Sequence, residues 1–283
     1  MSETPLALDP GLYVTATPIG NLGDITYRAV TALKNADLIL CEDTRQTAKL
    51  CAAYDIKTAR SPYHDHNGER VRPGILEKLQ AGARICLVSD AGTPLIADPG
   101  YKLVREARNL GIAVYPLPGA CAVVAALSAA GAPTDQFTFA GFVPAKQGAR
   151  QTFLEQIKNA PGALVFYESG PRIAESLSAM ASVFGATRPA IIARELTKLH
   201  EEFHEDQISE LHAHYIQAPA KGEFVIIIPP AQAIAPTALD IDGFLTRALT
   251  SMSIKEAAEA AASALGISKR DAYERALFLK GRK

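Results

Sequence analysis

Four titratable side chains in two short clusters are the groups of this chain best placed to move a proton. Glu42 and Asp43 belong to Glu42-Asp-Thr-Arg45, directly after the apolar run Leu38–Cys41, and His64 and His66 belong to His64-Asp-His-Asn67. Two carboxylates and a guanidinium at a strand exit are poor core material. A carboxylate or imidazole held beside a hydroxyl can take its proton, so these four are the candidate catalytic residues. Glu42 and Asp43 are favoured, because a strand exit fixes a side chain better than a loop does. The plainer use of the first cluster is capping of the next helix by Asp43 or Thr44. The His-Asp-His-Asn cluster resembles a metal site only at first sight. Zinc ligands come from more than one segment, and no paired cysteine or HExxH partner accompanies it, so no metal is expected.

Two turn-rich phrases frame a ligand site. Thr17-Pro-Ile-Gly-Asn-Leu-Gly-Asp24 follows a short apolar run at 12–15, and Ser89-Asp-Ala-Gly-Thr-Pro-Leu-Ile-Ala-Asp-Pro-Gly100 follows another at 85–88. Loops of this composition between a buried strand and a helix are where an open α/β sheet holds its ligand. Pro118-Gly-Ala-Cys-Ala122 offers a third wall, whose small side chains let a ligand lie against backbone. Tyr167-Glu-Ser-Gly-Pro-Arg172, Ala193-Arg-Glu-Leu-Thr-Lys198 and Lys221-Gly-Glu223 mark further strand exits or edges, as one shared crevice requires. Neither G-x-G-x-x-G nor G-x-x-x-x-G-K-[ST] occurs, which argues against a dinucleotide enzyme and a P-loop NTPase.

The elements that must position these residues alternate. Strands are expected at 12–15, 38–41, 85–88 and 112–115, with helices at 25–34 (capped by Asp24), 44–53, 70–80 and 101–110. This is the rhythm of βαβ units and a largely parallel sheet. Pro116-Leu-Pro-Gly119 punctuates the chain before an alanine-rich helix at 120–130. Strands near 137–140, 163–167, 189–193 and 223–228 and helices near 150–158, 173–184 and 207–215 follow. The run Phe224-Val-Ile-Ile-Ile228 is apolar on both faces and belongs in the middle of a sheet. The expected organisation is α/β: one domain over 11–117, a second over 118–230 completing the cleft, and a helical extension over 237–283 after a linker at 229–240. Helix 254–265, turn 266–268 and helix 269–279 have helix-turn-helix spacing. Lys269, Arg270, Arg275, Lys280, Arg282 and Lys283 make this tail the clearly basic stretch of the chain, either a solvated cap or a nucleic-acid-contacting module.

The bulk numbers exclude little. A chain of 283 residues, 48% hydrophobic and 21% charged, suits two globular domains. A net charge of −1 leaves polyanion binding to local patches. Cys41, Cys51, Cys86 and Cys121 lack paired spacing and read as reduced thiols, three of them in apolar or alanine-rich runs. The N-terminal residues do not read as a signal peptide, and no apolar run reaches membrane-spanning length. A soluble, cytoplasmic protein without a membrane partner is expected.

Taken in order, the motifs at 17–24, 42–45, 64–67, 89–100, 193–197 and 221–223 resemble those of the bacterial small-subunit ribosomal RNA cytidine 2′-O-methyltransferases, a group within the tetrapyrrole methylase superfamily. The resemblance spans residues 11–228, and the tail is similar to the helical extension of that group. It implies two α/β domains closing on S-adenosylmethionine, a homodimer, and 16S ribosomal RNA in the small subunit as partner. By motif position Gly92, Thr93, Pro94, Ile96, Ala120, Cys121 and Ala122 would line the cofactor, with Tyr167, Ala193 and Gly222 from the second domain. Where relatives often carry Pro-Gly-Pro-Ser, this chain has Pro118-Gly-Ala-Cys121, which keeps backbone contacts and loses a hydroxyl. Arg45, Arg194 and Lys198 would hold phosphates, joined by Lys269 and Arg270 of the tail. The alternatives are methylation of a tetrapyrrole precursor, which Glu42-Asp-Thr-Arg45 and the tail disfavour, and a cofactor or RNA binder without catalysis.

Overall fold

Four short apolar runs and one polar edge segment, the third strand, build the first sheet: β1 (Gly11–Thr15), β2 (Leu38–Cys41), β3 (Arg60–Pro62), β4 (Arg84–Leu87) and β5 (Val114–Leu117). Their order is β3-β2-β4-β1-β5, every neighbour parallel. The pleat turns successive side chains to opposite faces, and both faces are apolar. Tyr13, Ile39, Cys41 and Cys86 join a core with helices α1 (Tyr27–Asn35) and α2 (Thr44–Ala53). Leu12, Leu40, Ile85 and Leu87 join another with α3 (Asp65–Gln80) and α4 (Tyr101–Asn109). The computed structural model describes residues 8–230 and 238–281, which divide into two units after Pro230.

Helix α5 (Ala122–Ala129) leads into a second sheet of β6 (Phe137–Phe142), β7 (Ala163–Ser169), β8 (Pro189–Arg194), β9 (Glu202–Gln207) and β10 (Glu223–Ile228). Its order is β6-β7-β10-β8-β9, with β6 and β7 parallel and the other pairs antiparallel. β10 is central, as its unbroken apolar run requires. Phe224, Ile226 and Ile228 pack with α6 (Gln147–Ile157), α7 (Ile173–Phe184) and α8 (Ile208–Gln217), while Val225 and Ile227 meet Val123, Ala126 and Leu127 of α5.

Several local expectations are corrected. Asp24 closes a 3₁₀ turn, and Thr26 caps α1 by accepting the Ala29 amide at 3.1 Å. The strand expected at 112–115 sits two residues later and runs through Pro116, which the sheet tolerates because β5 is an edge strand. Helix α3 begins five residues before the expected start, with His64 in its N-cap position. The alanine-rich helix begins two residues later than expected, with Cys121 at its N-cap.

The second unit holds α9 (Ala238–Ala248), α10 (Ile254–Leu265) and α11 (Lys269–Lys280). Part of the expected linker lies outside the described residues, and its last residues are helical. Ser253 and Glu256 form a capping box on α10, Gly266 ends that helix at φ +65°, and Ser268 caps α11. Leu245 and the alanines 257, 258, 261, 272 and 276 form its core. Among the described residues no helix is long and apolar enough to cross a membrane.

Candidate active site

The two turn-rich phrases meet in space. The amide of Thr17 donates to the Gly92 carbonyl at 2.8 Å and the amide of Gly92 returns to the Thr17 carbonyl at 3.1 Å. The 17–24 and 89–100 loops therefore form one continuous wall. The first loop also braces the second sheet: the Asn21 amide donates to Thr197 Oγ1 at 3.0 Å, and Gly20 packs so closely on Lys198 and Thr197 that a Cβ would lie 2.5 Å from Lys198 Cγ.

Between this wall and the second sheet lies a cavity of about 300 Å³. Ile19, Asp90 to Thr93 and Ile96 to Asp98 line one side; Cys121 and Ala122 of the α5 start close it; Phe142, Tyr167 to Ser169, Ala193, Leu196, Lys198 and Glu223 to Val225 line the other. The lining is mostly apolar with a few converging polar groups, the usual character of a small-molecule site. Tyr167 stands edge-on to Phe139 and Phe142, with ring centroids 4.8 and 5.4 Å away. Among the described residues, four of the five non-glycine positions with positive φ lie in two loops bordering this cavity: Leu95, Ala97, Glu195 and Thr197. Backbone held in that region costs about 1–3 kcal/mol per residue and clusters at functional sites.

Of the residues expected at the cofactor, Gly92, Thr93, Ile96, Cys121, Ala122, Tyr167 and Ala193 line the cavity. Ala120, Pro94 and Gly222 stand just behind. The Ala120 carbonyl accepts the Thr93 hydroxyl at 3.0 Å, Pro94 is buried, and Gly222 packs against Glu195.

Of the four candidate bases none lines the cavity. Asp43 caps α2 through the Arg45 amide (2.8 Å) and receives the Arg45 guanidinium on both oxygens (3.2 and 3.1 Å). That pairing holds the Asp43 carboxyl below its usual range and makes it a poor proton acceptor. The Asp43 amide in turn donates to Asp90 Oδ1 at 2.9 Å. His64 and His66 face each other edge-on at the start of α3, His66 exposed and the His64 amide donating to Asn67 Oδ1 at 2.9 Å. Among the described residues no group of three or more His, Cys, Asp or Glu side chains could hold a metal.

Sequence reasoning missed the carboxylates the cavity does contain. Asp98 is pushed up to about 6, chiefly by burial and further by the negative charges of Glu42 and Asp90, with the Ser89 hydroxyl opposing. Glu168, buried, accepts the Ser176 hydroxyl (2.5 Å) and the Ser169 amide (2.8 Å), with Arg172 3.4 Å away. The run Ser89 to Gly100 carried the signal for Asp98, but nothing in a sequence says which of its two aspartates is withdrawn from water.

The expected phosphate contacts lie in three places. Arg45 is highly exposed on α2. Arg194 donates to the Lys221 carbonyl (3.1 Å) and Glu202 (2.8 Å). Lys198 reaches Glu195 and Glu223, 2.9 Å to each; burial opposes its charge, and the two carboxylates more than compensate, holding its ammonium above the ordinary range. In the second unit Lys269 and Arg270 border a shallow surface between α10 and α11 with Lys255 and Tyr273. Their ion pairs to Glu259 (3.7 Å) and Glu274 (3.1 Å) are exposed and weak.

Comparison with known proteins agrees with this architecture. Residues 11–212 match the family described as Tetrapyrrole (Corrin/Porphyrin) Methylases, and residues 235–280 match the RsmI C-terminal HTH domain. The chain is 47% identical over 274 residues to ribosomal RNA small subunit methyltransferase I of Mesorhizobium japonicum, covering 96% of this chain and 93% of that one. It is 45% identical over 274 residues to the protein of the same name from Escherichia coli O157:H7, covering 95% and 96%. In fold it is similar to uroporphyrin-III C-methyltransferase from Thermus thermophilus complexed with S-adenosylhomocysteine, at a TM-score of 0.54 and 16% identity over 76% of this chain and 96% of that one. The chain belongs to the tetrapyrrole methylase family and, within it, to the group of ribosomal RNA small subunit methyltransferase I proteins.

Proposed function

We propose that this protein transfers a methyl group from S-adenosylmethionine to the ribose 2′-hydroxyl of a cytidine in the decoding region of small-subunit ribosomal RNA. The observation that carries the reading is the cavity of about 300 Å³ between the 89–100 loop and the second sheet, in a chain whose relatives are named for methylating small-subunit ribosomal RNA. The lining fits the cofactor. Gly92, Ala122 and Ala193 leave room for backbone contact, Tyr167 and Phe142 offer ring faces and edges, and Asp90 complements a positively charged ligand. The structural relative complexed with S-adenosylhomocysteine supports the same choice of ligand.

S-adenosylmethionine supplies an electrophilic methyl on a sulfonium. The protein's task is then alignment of the hydroxyl with that methyl and acceptance of the hydroxyl proton. The paired 17–24 and 89–100 loops, braced by Thr197, give a wall stiff enough to hold that alignment. Arg45 on α2 and the α10–α11 surface with Lys269 and Arg270 are the proposed RNA contacts, the first beside the exit of β2 and the others in the second unit. The resemblance that suggests this substrate also suggests a homodimer in the cytoplasm. Sedimentation equilibrium checks the dimer, and a monomer at micromolar concentration contradicts it.

Incubation of labelled cofactor with small subunits lacking the modification, with naked ribosomal RNA and with a tetrapyrrole precursor tests the reading. Label in ribosomal RNA supports it, label in the precursor favours methylation of a tetrapyrrole, and cofactor binding without label in either leaves a binding protein.

A further inference from the structure

We propose that Asp98 is the base that receives the proton of the ribose 2′-hydroxyl; this inference rests on the function proposed above. Asp98 lies in the loop between β4 and α4 and lines the cavity. It stands where three elements converge. Glu42 at the exit of β2, Asp90 at the exit of β4 and Tyr167 on β7 all feel its charge or impose theirs on it. That places it at the junction of the cavity with the carboxyl ends of the parallel strands, where an open sheet receives its ligand.

Glu42 lies outside the cavity lining, and the other carboxylates in or beside the cavity are committed. Asp43 is occupied by Arg45, and Asp90 Oδ1 takes the Asp43 amide. Glu168 is sealed among Ser169, Arg172 and Ser176. Glu223 and Glu195 share the Lys198 ammonium. His64 and His66 lie outside the cavity lining. Asp98 has the Ser89 hydroxyl as its polar neighbour and two like charges nearby. Withdrawal from water and those charges bring its carboxyl to about 6, so it is ionised at neutral pH yet far more basic than an ordinary aspartate.

The transfer balances with this assignment. The O2′–methyl bond forms as the methyl–sulfur bond breaks, and the bonding pair stays on sulfur, which loses its positive charge. The hydroxyl proton passes to Asp98 and leaves to solvent as product departs.

The test compares wild type, Asp98→Asn and Asp98→Glu in single-turnover methyl transfer to unmodified small subunits between pH 5 and 9. The wild-type rate rises about tenfold per pH unit below roughly 6 and then levels. Asp98→Asn falls at least about a hundredfold on the plateau and loses the limb, as removal of a general base requires, while Asp98→Glu recovers part of the rate together with a limb. Two readouts do not depend on turnover: S-adenosylhomocysteine affinity, unchanged within threefold in Asp98→Asn, and carboxyl NMR of the free protein, in which a group titrating near 6 disappears in Asp98→Asn. A plateau rate in Asp98→Asn within threefold of wild type overturns the inference, as does a parallel loss of S-adenosylhomocysteine binding or the absence of the titrating group. Wild type that methylates no subunit at all overturns the underlying function instead, so the two failures are distinguishable.

Discussion

Replacing Gly222 by alanine tests whether the cavity depends on the backbone that cradles Glu195. Gly222 has φ +104°, and a Cβ there would lie 2.5 Å from Glu195 Oε1. That oxygen accepts the Lys198 ammonium at 2.9 Å and the Glu223 amide at 3.0 Å. The alanine meets two costs. Left-handed backbone costs an L-residue about 1–2 kcal/mol. Displacing the Glu195 carboxylate weakens two charge-assisted hydrogen bonds, and solvent around the partly exposed pair limits that loss to about 1–2 kcal/mol. The two together come to about 2–4 kcal/mol. Gly185 provides a matched control, since its φ is +102° and a Cβ there would meet nothing within 4 Å. Gly185→Ala meets the first cost alone. Urea unfolding of both variants should therefore place Gly222→Ala about 1–2 kcal/mol below Gly185→Ala. Gly222→Ala should also bind S-adenosylhomocysteine more weakly, because Lys198 and Glu223 line the cavity. Equal stability of the two variants refutes the reasoning.

Two further outcomes follow from charge. The Asp98 carboxyl is raised, so the folded protein holds a proton that the unfolded chain releases, and this contribution to stability is full below the ordinary aspartate range and is lost as pH rises through about 6. Asp98→Asn should match wild type in urea unfolding near pH 4 and exceed it above pH 7; a wild type that is the more stable of the two at pH 8 contradicts this. If the second unit binds RNA, replacing Lys269 and Arg270 by alanine should weaken RNA binding uniformly and reduce the slope of log K against log salt by about one for each phosphate no longer neutralised. Cofactor affinity stays intact, and an unchanged slope returns the tail to a structural cap.

The parallel sheet was legible because its strands are buried on both faces and read as apolar runs such as Leu38–Cys41. β3 and β9 were not. Arg60-Ser-Pro62 is three residues at an edge, and Glu202-Phe-His-Glu-Asp-Gln207 is an edge strand whose charged side chains face water, so neither carries a hydrophobic period. The mixed direction of the second sheet depends on pairings between distant segments, which local patterns do not encode. At the site, the wall residues Gly92, Thr93, Cys121 and Ala122 were found from loop composition and motif position together. Asp98 did not stand out beside the candidates Glu42, Asp43, His64 and His66, because its partial burial arises from loops and strands converging across the fold.

The central claim meets its most direct test in the identity of the methylated nucleoside. Small subunits lacking the modification are incubated with the protein and labelled S-adenosylmethionine, and the ribosomal RNA is digested to nucleosides and resolved by mass spectrometry. One labelled species is expected, a cytidine carrying the methyl on its ribose 2′-oxygen. A methyl on a base, or on any nucleoside other than cytidine, contradicts the claim.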